Sequence, residues 1–304
     1  MPALVDVRTP PPKAPAGLIV GYAGLLLEVA DAERSARFYG DVLGLKGDGE
    51  TAEGARFRIG TSVVTLCQRA QPKVLPESGA HLAFRLPAAE LDNGLGRLAK
   101  AGVDVHDYRE DRLVERDHNR YFADPDGNRL QLVAGHSAGI DHAAIETHDL
   151  EWSESFYTHV LGGAVETRVG WRMEDYAKAK AWGEGSEACA PGTRRWDKLY
   201  SATIDPDRHV ARPNAHIFVT LGPDTVVGVY LATEHRQEPP PDQFVGTPRI
   251  CLRTSRLAEL EERLRDIRLR CLQDSPQTGG PFERRGSALF ARDPGGNFLE
   301  LTTE

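Results

Sequence analysis

The chain has little of what staples a small or secreted fold. It has four cysteines in 304 residues, Cys67, Cys189, Cys251 and Cys271, and no two form a CxxC pair. This spacing argues against a zinc finger or a disulfide framework, and reduced thiols in the cytoplasm are the simplest reading. Long apolar runs are missing too, since none approaches the roughly 18 residues that cross a bilayer as a helix; a membrane is not an expected partner. Positive charge is in deficit: 37 Lys and Arg against 45 Asp and Glu leave a net charge of −8. Such a chain repels phosphate backbones, so nucleic acid is not expected as a partner either. Met1 to Lys13 carries prolines but no apolar h-region, and residues 1–17 read as a Pro-rich arm rather than a leader. The rest is ordinary globular composition, 40% hydrophobic and 27% charged, at a length that favours two domains.

What is present is an internal repeat. Val29 to Leu45 matches Thr147 to Gly163 without a gap: Asp31 aligns with Asp149 and Phe38-Tyr39 with Phe156-Tyr157, both at an offset of 118 residues. A second echo closes each half, where Asp124-Pro125-Asp126-Gly127-Asn128 resembles Asp293-Pro294-Gly295-Gly296-Asn297. The halves meet near Gly135 to Gly139, which predicts domains at 18–136 and 137–304.

Each half holds a smaller unit twice. Gly24 to Val29 reads as a strand. Asp31 and Asp149 are N-cap residues whose carboxylates can accept bonds from the first free N–H groups of a helix. Gly44 and Gly162 stop those helices. Strands are predicted at Arg56 to Ile59, Ser62 to Cys67 and His81 to Leu86, and a helix at Ala88 to Ala101. Two strands around the DPDGN turn follow, within Arg120 to Val133. The last unit repeats the plan with a strand at Arg249 to Arg253 and a helix carrying Leu257, Leu260 and Leu264 at 3- and 4-residue spacing. The expected class is therefore α+β: four βαβββ units in two tandem domains, each a curled mixed sheet around a cup with helices outside.

The pattern strand–DxxxSxxFYxxVLG, with a last strand after DPxGN, resembles the vicinal oxygen chelate superfamily of glyoxalases, bleomycin-resistance proteins, epimerases and type I extradiol ring-cleaving dioxygenases. Four units most resemble the two-domain extradiol enzymes. The resemblance implies a divalent metal inside a cup, Fe(II) first and Mn(II) or Zn(II) as alternatives. It also implies ligands on the first strands of two successive units and on the last strand of the second. A two-histidine, one-carboxylate face leaves adjacent coordination positions open for substrate and O₂. The partner implied is a small aromatic or vicinal-dioxygen molecule, with a homo-oligomer as a further option.

In the first half the family positions fall on Gly24, His81 and Gln131. Glycine has no donor and an amide replaces a carboxylate poorly, so this half is expected to be metal-free, with His81 an ordinary strand histidine. In the second half the positions fall on His142 and Glu300, both suited to a metal, and on Arg249, which stays protonated and cannot ligate a cation. His216, on a strand of the third unit, is the substitute, giving an expected triad of His142, His216 and Glu300. Phe290 stands where the extradiol enzymes carry a tyrosine, and Tyr230 is the candidate replacement. Glu146 shares the strand parity of His142 and is a candidate base. The aromatic-rich insertion at 168–214, with Trp171, Trp182 and Trp196, is a candidate substrate wall, as are Arg249 and Phe290.

Arg249 also opens a second reading. A buried guanidinium needs an anion or a carbonyl, so it can pair with Glu300 and close the cup without a metal. The chain would then be a binding protein of the bleomycin-resistance kind. A third reading is a glyoxalase- or epimerase-like lyase or isomerase, with Glu300 or Glu146 as base.

Overall fold

Short strands separated by turn residues dominate the molecule because apolar side chains alternate along them, one face toward the core and one away. The computed structural model describes residues 12–74, 79–105, 120–147, 150–169, 216–232, 243–271 and 282–303. In the first half β1 (Ile19–Val29), β2 (Lys46–Thr51), β3 (Gly54–Ile59) and β4 (Ser62–Gln68) form one unit; β5 (His81–Pro87), β6 (Arg120–Ala123) and β7 (Arg129–Gly135) belong to the next. The second half supplies β8 (Gly139–Thr147), β9 (Ala164–Val169), β10 (His216–Gly222) and β11 (Thr225–Leu231). It ends with β12 (Arg249–Thr254), β13 (Phe282–Arg285), β14 (Ala288–Arg292) and β15 (Phe298–Thr302). One helix follows the first strand of each unit: α1 (Ala32–Arg37), α2 (Ala88–Lys100), α3 (Leu150–Ser155) and α4 (Leu257–Cys271).

Local chemistry sets the ends of these elements. The Asp31 carboxylate accepts from the Arg34 N–H at 3.0 Å and starts α1. Each of α1 and α3 runs into a one-turn π-helix, Phe38–Val42 and Phe156–Val160. Gly44 and Gly162 follow those turns at φ of 79° and 77°, where a side chain would be strained. The Phe-Tyr pairs of the repeat are buried, and their hydroxyls do a specific job. Tyr39 donates to Asp124 at 3.0 Å and Tyr157 donates to Asp293 at 2.9 Å. Each aspartate also accepts backbone N–H bonds inside its own turn. The two sequence echoes are thus one device: a tyrosine from the first unit of a half pins the turn of the second.

The strands form two mixed sheets, β13-β14-β15-β12-β1-β4-β3-β2 and β6-β7-β5-β8-β11-β10-β9. The α+β class, the four units and the tandem halves agree with the sequence reading. The strand partners depart from the expectation that each half closes its own cup. The first sheet joins unit one to unit four through β1 and β12, antiparallel, and the second joins unit two to unit three through β5 and β8. Each sheet is therefore shared between the halves. The inward faces make one apolar core, including Leu25, Leu27, Phe84, Leu130, Val229, Leu252 and Leu301. Tyr22 ties the sheets together through it: its hydroxyl donates to the Val226 carbonyl and accepts from the Ala143 N–H. The opposite face of each sheet carries the polar residues.

Candidate functional site

Strand register sorts these polar residues. In the second sheet Ala83 faces His142 and Gln131, and His81 lies two residues before Ala83 on β5. Tyr121 faces Gln131, Val226 faces His142, Tyr230 faces both Glu146 and His216, and Phe218 faces Gly228. Directly opposed residues share a face, so His81, Gln131, Tyr121, His142, Glu146, Tyr230, His216 and Phe218 all project to one side. The rings converge across that side. His81 and Tyr230 stand on strands separated by β8, yet their ring centroids are 6.0 Å apart.

At its centre the Nε2 atoms of His81 and His142 are 2.8 Å apart. The far nitrogen of each ring is already committed. His81 Nδ1 donates to the Gly79 carbonyl at 2.7 Å, and His142 Nδ1 lies 2.9 Å from the Asp141 carboxylate. A carbonyl or a carboxylate accepts, so each Nδ1 carries the hydrogen and both Nε2 lone pairs point at each other. Only a shared cation relieves that arrangement, either a proton held by one ring or a metal ion bound by both. Burial, with His142 beside it, pushes the His81 imidazole well below the usual histidine range, so this ring is neutral near pH 7. A neutral imidazole with its distal N–H anchored is the form that ligates.

The surrounding wall is aromatic. Tyr121 meets His81 edge-on at 5.2 Å, Phe218 meets His142 at 5.4 Å, and His216 stacks on Tyr230 at 4.6 Å. Glu146 is 1% exposed on the same face. Among the described residues no group of three His, Cys, Asp or Glu side chains is arranged to hold an ion. The third donor on this face is the amide of Gln131, itself buried. Two imidazoles and an amide oxygen are donors of the kind a first-row divalent ion takes.

The equivalent face of the first sheet is different. Arg249 stands where His81 stands, Glu300 where Gln131 stands, Gly24 where His142 stands, Glu28 where Glu146 stands and Cys67 where Tyr230 stands. The Arg249 guanidinium donates from Nε to Glu300 at 2.9 Å, from Nη2 to Glu53 at 2.6 Å and from Nη1 to the Gly246 carbonyl at 3.1 Å. It also lies 5.1 Å over the Phe290 ring. Glu28 accepts from Thr247 and from the Lys73 N–H. A Cβ at Gly24 would lie 2.2 Å from the Val63 carbonyl oxygen, so no imidazole fits there. Burial and the Glu300 charge push the Cys251 thiol well above its usual range. This face is filled by its own ion pairs.

The expected triad is therefore not assembled. His142 and Glu300 lie in different sheets, because β8 pairs with β5 and β15 pairs with β12. His216 joins the imidazole face, where it stacks on Tyr230 at 4.6 Å and meets Phe218 edge-on at 5.4 Å. Arg249 contacts Glu300 directly, as the metal-free reading of that face required, and Phe290 lies with them. Tyr230 and Glu146 do share a face with His142. The residues missed are His81, Gln131 and Asp141. His81 and Gln131 stand at family positions, but with Gly24 as their companion and an amide in place of a carboxylate the sequence leads to a metal-free half. Trp171, Trp182, Trp196 and residues 170–214 of the insertion lie outside the described residues.

Comparison with known proteins agrees with this architecture. The family model described as Glyoxalase/Bleomycin resistance protein/Dioxygenase superfamily matches residues 21–132 and 139–301. Metallothiol transferase FosB of Shouchella clausii (strain KSM-K16) is 33% identical over 85 residues, 27% of this chain. The match spans 57% of that relative's length. A putative dioxygenase from Bacillus subtilis subsp. subtilis str. 168 superposes with a TM-score of 0.57 at 16% identity, over 94% of this chain and 86% of that one. Glyoxalase I from Zea mays superposes with a TM-score of 0.56 at 13% identity, over 93% and 92%. At these identities the two structures speak for the fold.

Proposed function

Because the chain belongs to the glyoxalase/bleomycin resistance protein/dioxygenase superfamily, whose members typically bind a divalent metal, we propose that it is a metal-dependent enzyme. Its substrate is a small molecule chelating through two oxygens on the imidazole face of the second sheet. The observation that carries this reading is the pair of Nε2 atoms 2.8 Å apart with both distal nitrogens committed. His81, His142 and Gln131 hold the ion. When bound, it supplies Lewis acidity to the substrate oxygens and, as Fe(II), the means of using O₂. Three neutral donors leave its charge uncompensated, so an anionic chelate such as a catecholate or an enediolate is favoured over a neutral one.

The residues around it have separate tasks. Tyr121, Phe218 and His216 form an aromatic wall that orients a planar substrate and excludes water. Tyr230 presents a phenol that donates a hydrogen bond or a proton to a developing oxyanion. Glu146 is the proton acceptor on this face. Extradiol-type oxidative ring cleavage with Fe(II) is the first activity to test. Glyoxalase- or epimerase-like proton transfer is the second reading, favoured specifically by the buried carboxylate of Glu146.

The test begins with metal content after purification without chelator from iron-supplemented cells. The reading expects about one ion per chain, lost in His81→Ala and in His142→Ala. O₂ uptake with a panel of catechols follows. Uptake supports ring cleavage, isomerisation without uptake supports the proton-transfer reading, and absence of any stoichiometric ion refutes both.

A further inference from the structure

A regular strand sends consecutive side chains to opposite faces, so Asp141 and His142 should not meet. They do, because β8 is irregular at this point. Ala83 pairs with His142 and the next residue, Phe84, pairs with Ile140, which leaves Asp141 as an extra residue in the ladder. Bulges of this kind re-aim side chains. Here the bulge swings the Asp141 carboxylate to 2.9 Å from His142 Nδ1.

The first sheet has the same bulge. Gly24 pairs with Cys251 and Tyr22 with Leu252, leaving Ala23 as the extra residue. The repeat offset of 118 places Ala23 opposite Asp141 and Gly24 opposite His142. The fold therefore builds the kink twice and carries the carboxylate only where it also carries the imidazole. If Asp141 served the strand alone, the other bulge would need an acid too, and Ala23 is enough there.

Asp141 is itself steadied. Arg85 is buried, and its Nη1 lies 3.8 Å from Asp141 Oδ1 and 3.0 Å from Asp224 Oδ1, while its Nε donates to the Ser137 carbonyl at 3.2 Å. Gly135 gives that side chain its path, since a Cβ there would lie 2.2 Å from Arg85 Cδ. The guanidinium so held stands beside the Asp141 carboxylate.

We infer that Asp141 is a positioning residue for metal capture: through the bulge it fixes the hydrogen of His142 on Nδ1 and turns Nε2 toward the ion. This rests on the metal-site reading above. A carboxylate behind a ligating histidine raises its basicity and locks its ring, and losing one weakens metal affinity about 10–100-fold. His81 has a backbone carbonyl in the same role, which no side-chain substitution removes.

The experiment uses the full chain, stripped of metal and titrated with Co(II), followed by the visible absorption of the bound ion. Asp141→Asn keeps the shape of the side chain and is expected to raise the Co(II) dissociation constant about 10–100-fold. Asp48→Asn, on the exposed hairpin of the other sheet, should leave it within about twofold. Imidazole ¹⁵N spectra of the Zn(II)-loaded wild type give a measurement independent of any variant, with His142 expected to be protonated at Nδ1 and metal-bound at Nε2. Unchanged affinity in Asp141→Asn, or a His142 ring bound through Nδ1, overturns the inference while leaving the metal site standing. A wild-type chain that takes up neither ion overturns the parent reading, and this one with it.

Discussion

Glu300→Gln separates the two faces most sharply. If Glu300 were a metal ligand, the change would cost at least an order of magnitude in metal affinity. Placed in the first sheet, away from the imidazoles, it should leave the affinity unchanged and lower stability instead. The magnitude follows from what Glu300 holds. The Arg249 side chain is 2% exposed, and Glu300 Oε2 accepts its Nε bond at 2.9 Å and lies 3.4 Å from Cys251 Sγ. Breaking a buried pair from one side costs about 3–5 kcal/mol when the remaining charge has no other partner. Arg249 keeps Glu53, but that carboxylate is half exposed and screened, so it offsets only part of the loss. A net cost of about 2–3 kcal/mol results, a fall in Tm of roughly 3–5 °C for a chain of this size. The assay is thermal unfolding of the metal-free protein alongside a Co(II) titration. A tenfold loss of Co(II) affinity at unchanged Tm would refute the division into one imidazole face and one self-paired face.

Three further outcomes follow. Tyr157→Phe and Tyr39→Phe should each destabilise by about 1.5–3 kcal/mol, since each leaves a buried aspartate short of a donor; urea unfolding measures it, and a loss below about 0.5 kcal/mol would contradict the pinning role. Stability should fall on the alkaline side. Burial, with Asp124, Asp293 and Glu300 beside the respective groups, pushes Tyr39, Tyr157 and Cys251 well above their usual ranges. Unfolded thiols release protons above about pH 8.5 and unfolded phenols above about pH 10 while the folded groups retain them, at about 1.4 kcal/mol per pH unit per group. Unfolding followed from pH 8 to 11 gives the slope, and a flat profile would be inconsistent with it. Finally, Cys67 and Cys251 should resist iodoacetamide in the native chain at pH 8 and react on denaturation, as peptide mass mapping would show.

Much of the fold was legible because its signals are local. Asp31 as a cap, Gly44 and Gly162 as stops, and the 118-residue echo each depend on a few neighbouring residues and survive any tertiary arrangement. The candidate site was legible only in part because its assembly is not local. His81 and His142 come together through the pairing of β5 with β8, and nothing in either strand's alternation says which edge it will meet. Asp141 was hidden for a second reason: strand parity places it on the wrong face, and only the bulge brings it back. Arg249 was informative from its chemistry alone, since a buried guanidinium beside a carboxylate has few other uses.

Sharing the sheets between halves also has a temporal side. β1 pairs with β12 from Ile19 opposite Thr254 to Leu26 opposite Arg249, so the edge that β12 will cover emerges from the ribosome more than two hundred residues before its cover does. At about 5–20 residues per second that edge waits on the order of 10–50 s. Throughout that wait the nascent first half presents open backbone that any stray strand can join. Its yield in the cell is thus tied to how fast translation runs and to what shields the growing chain.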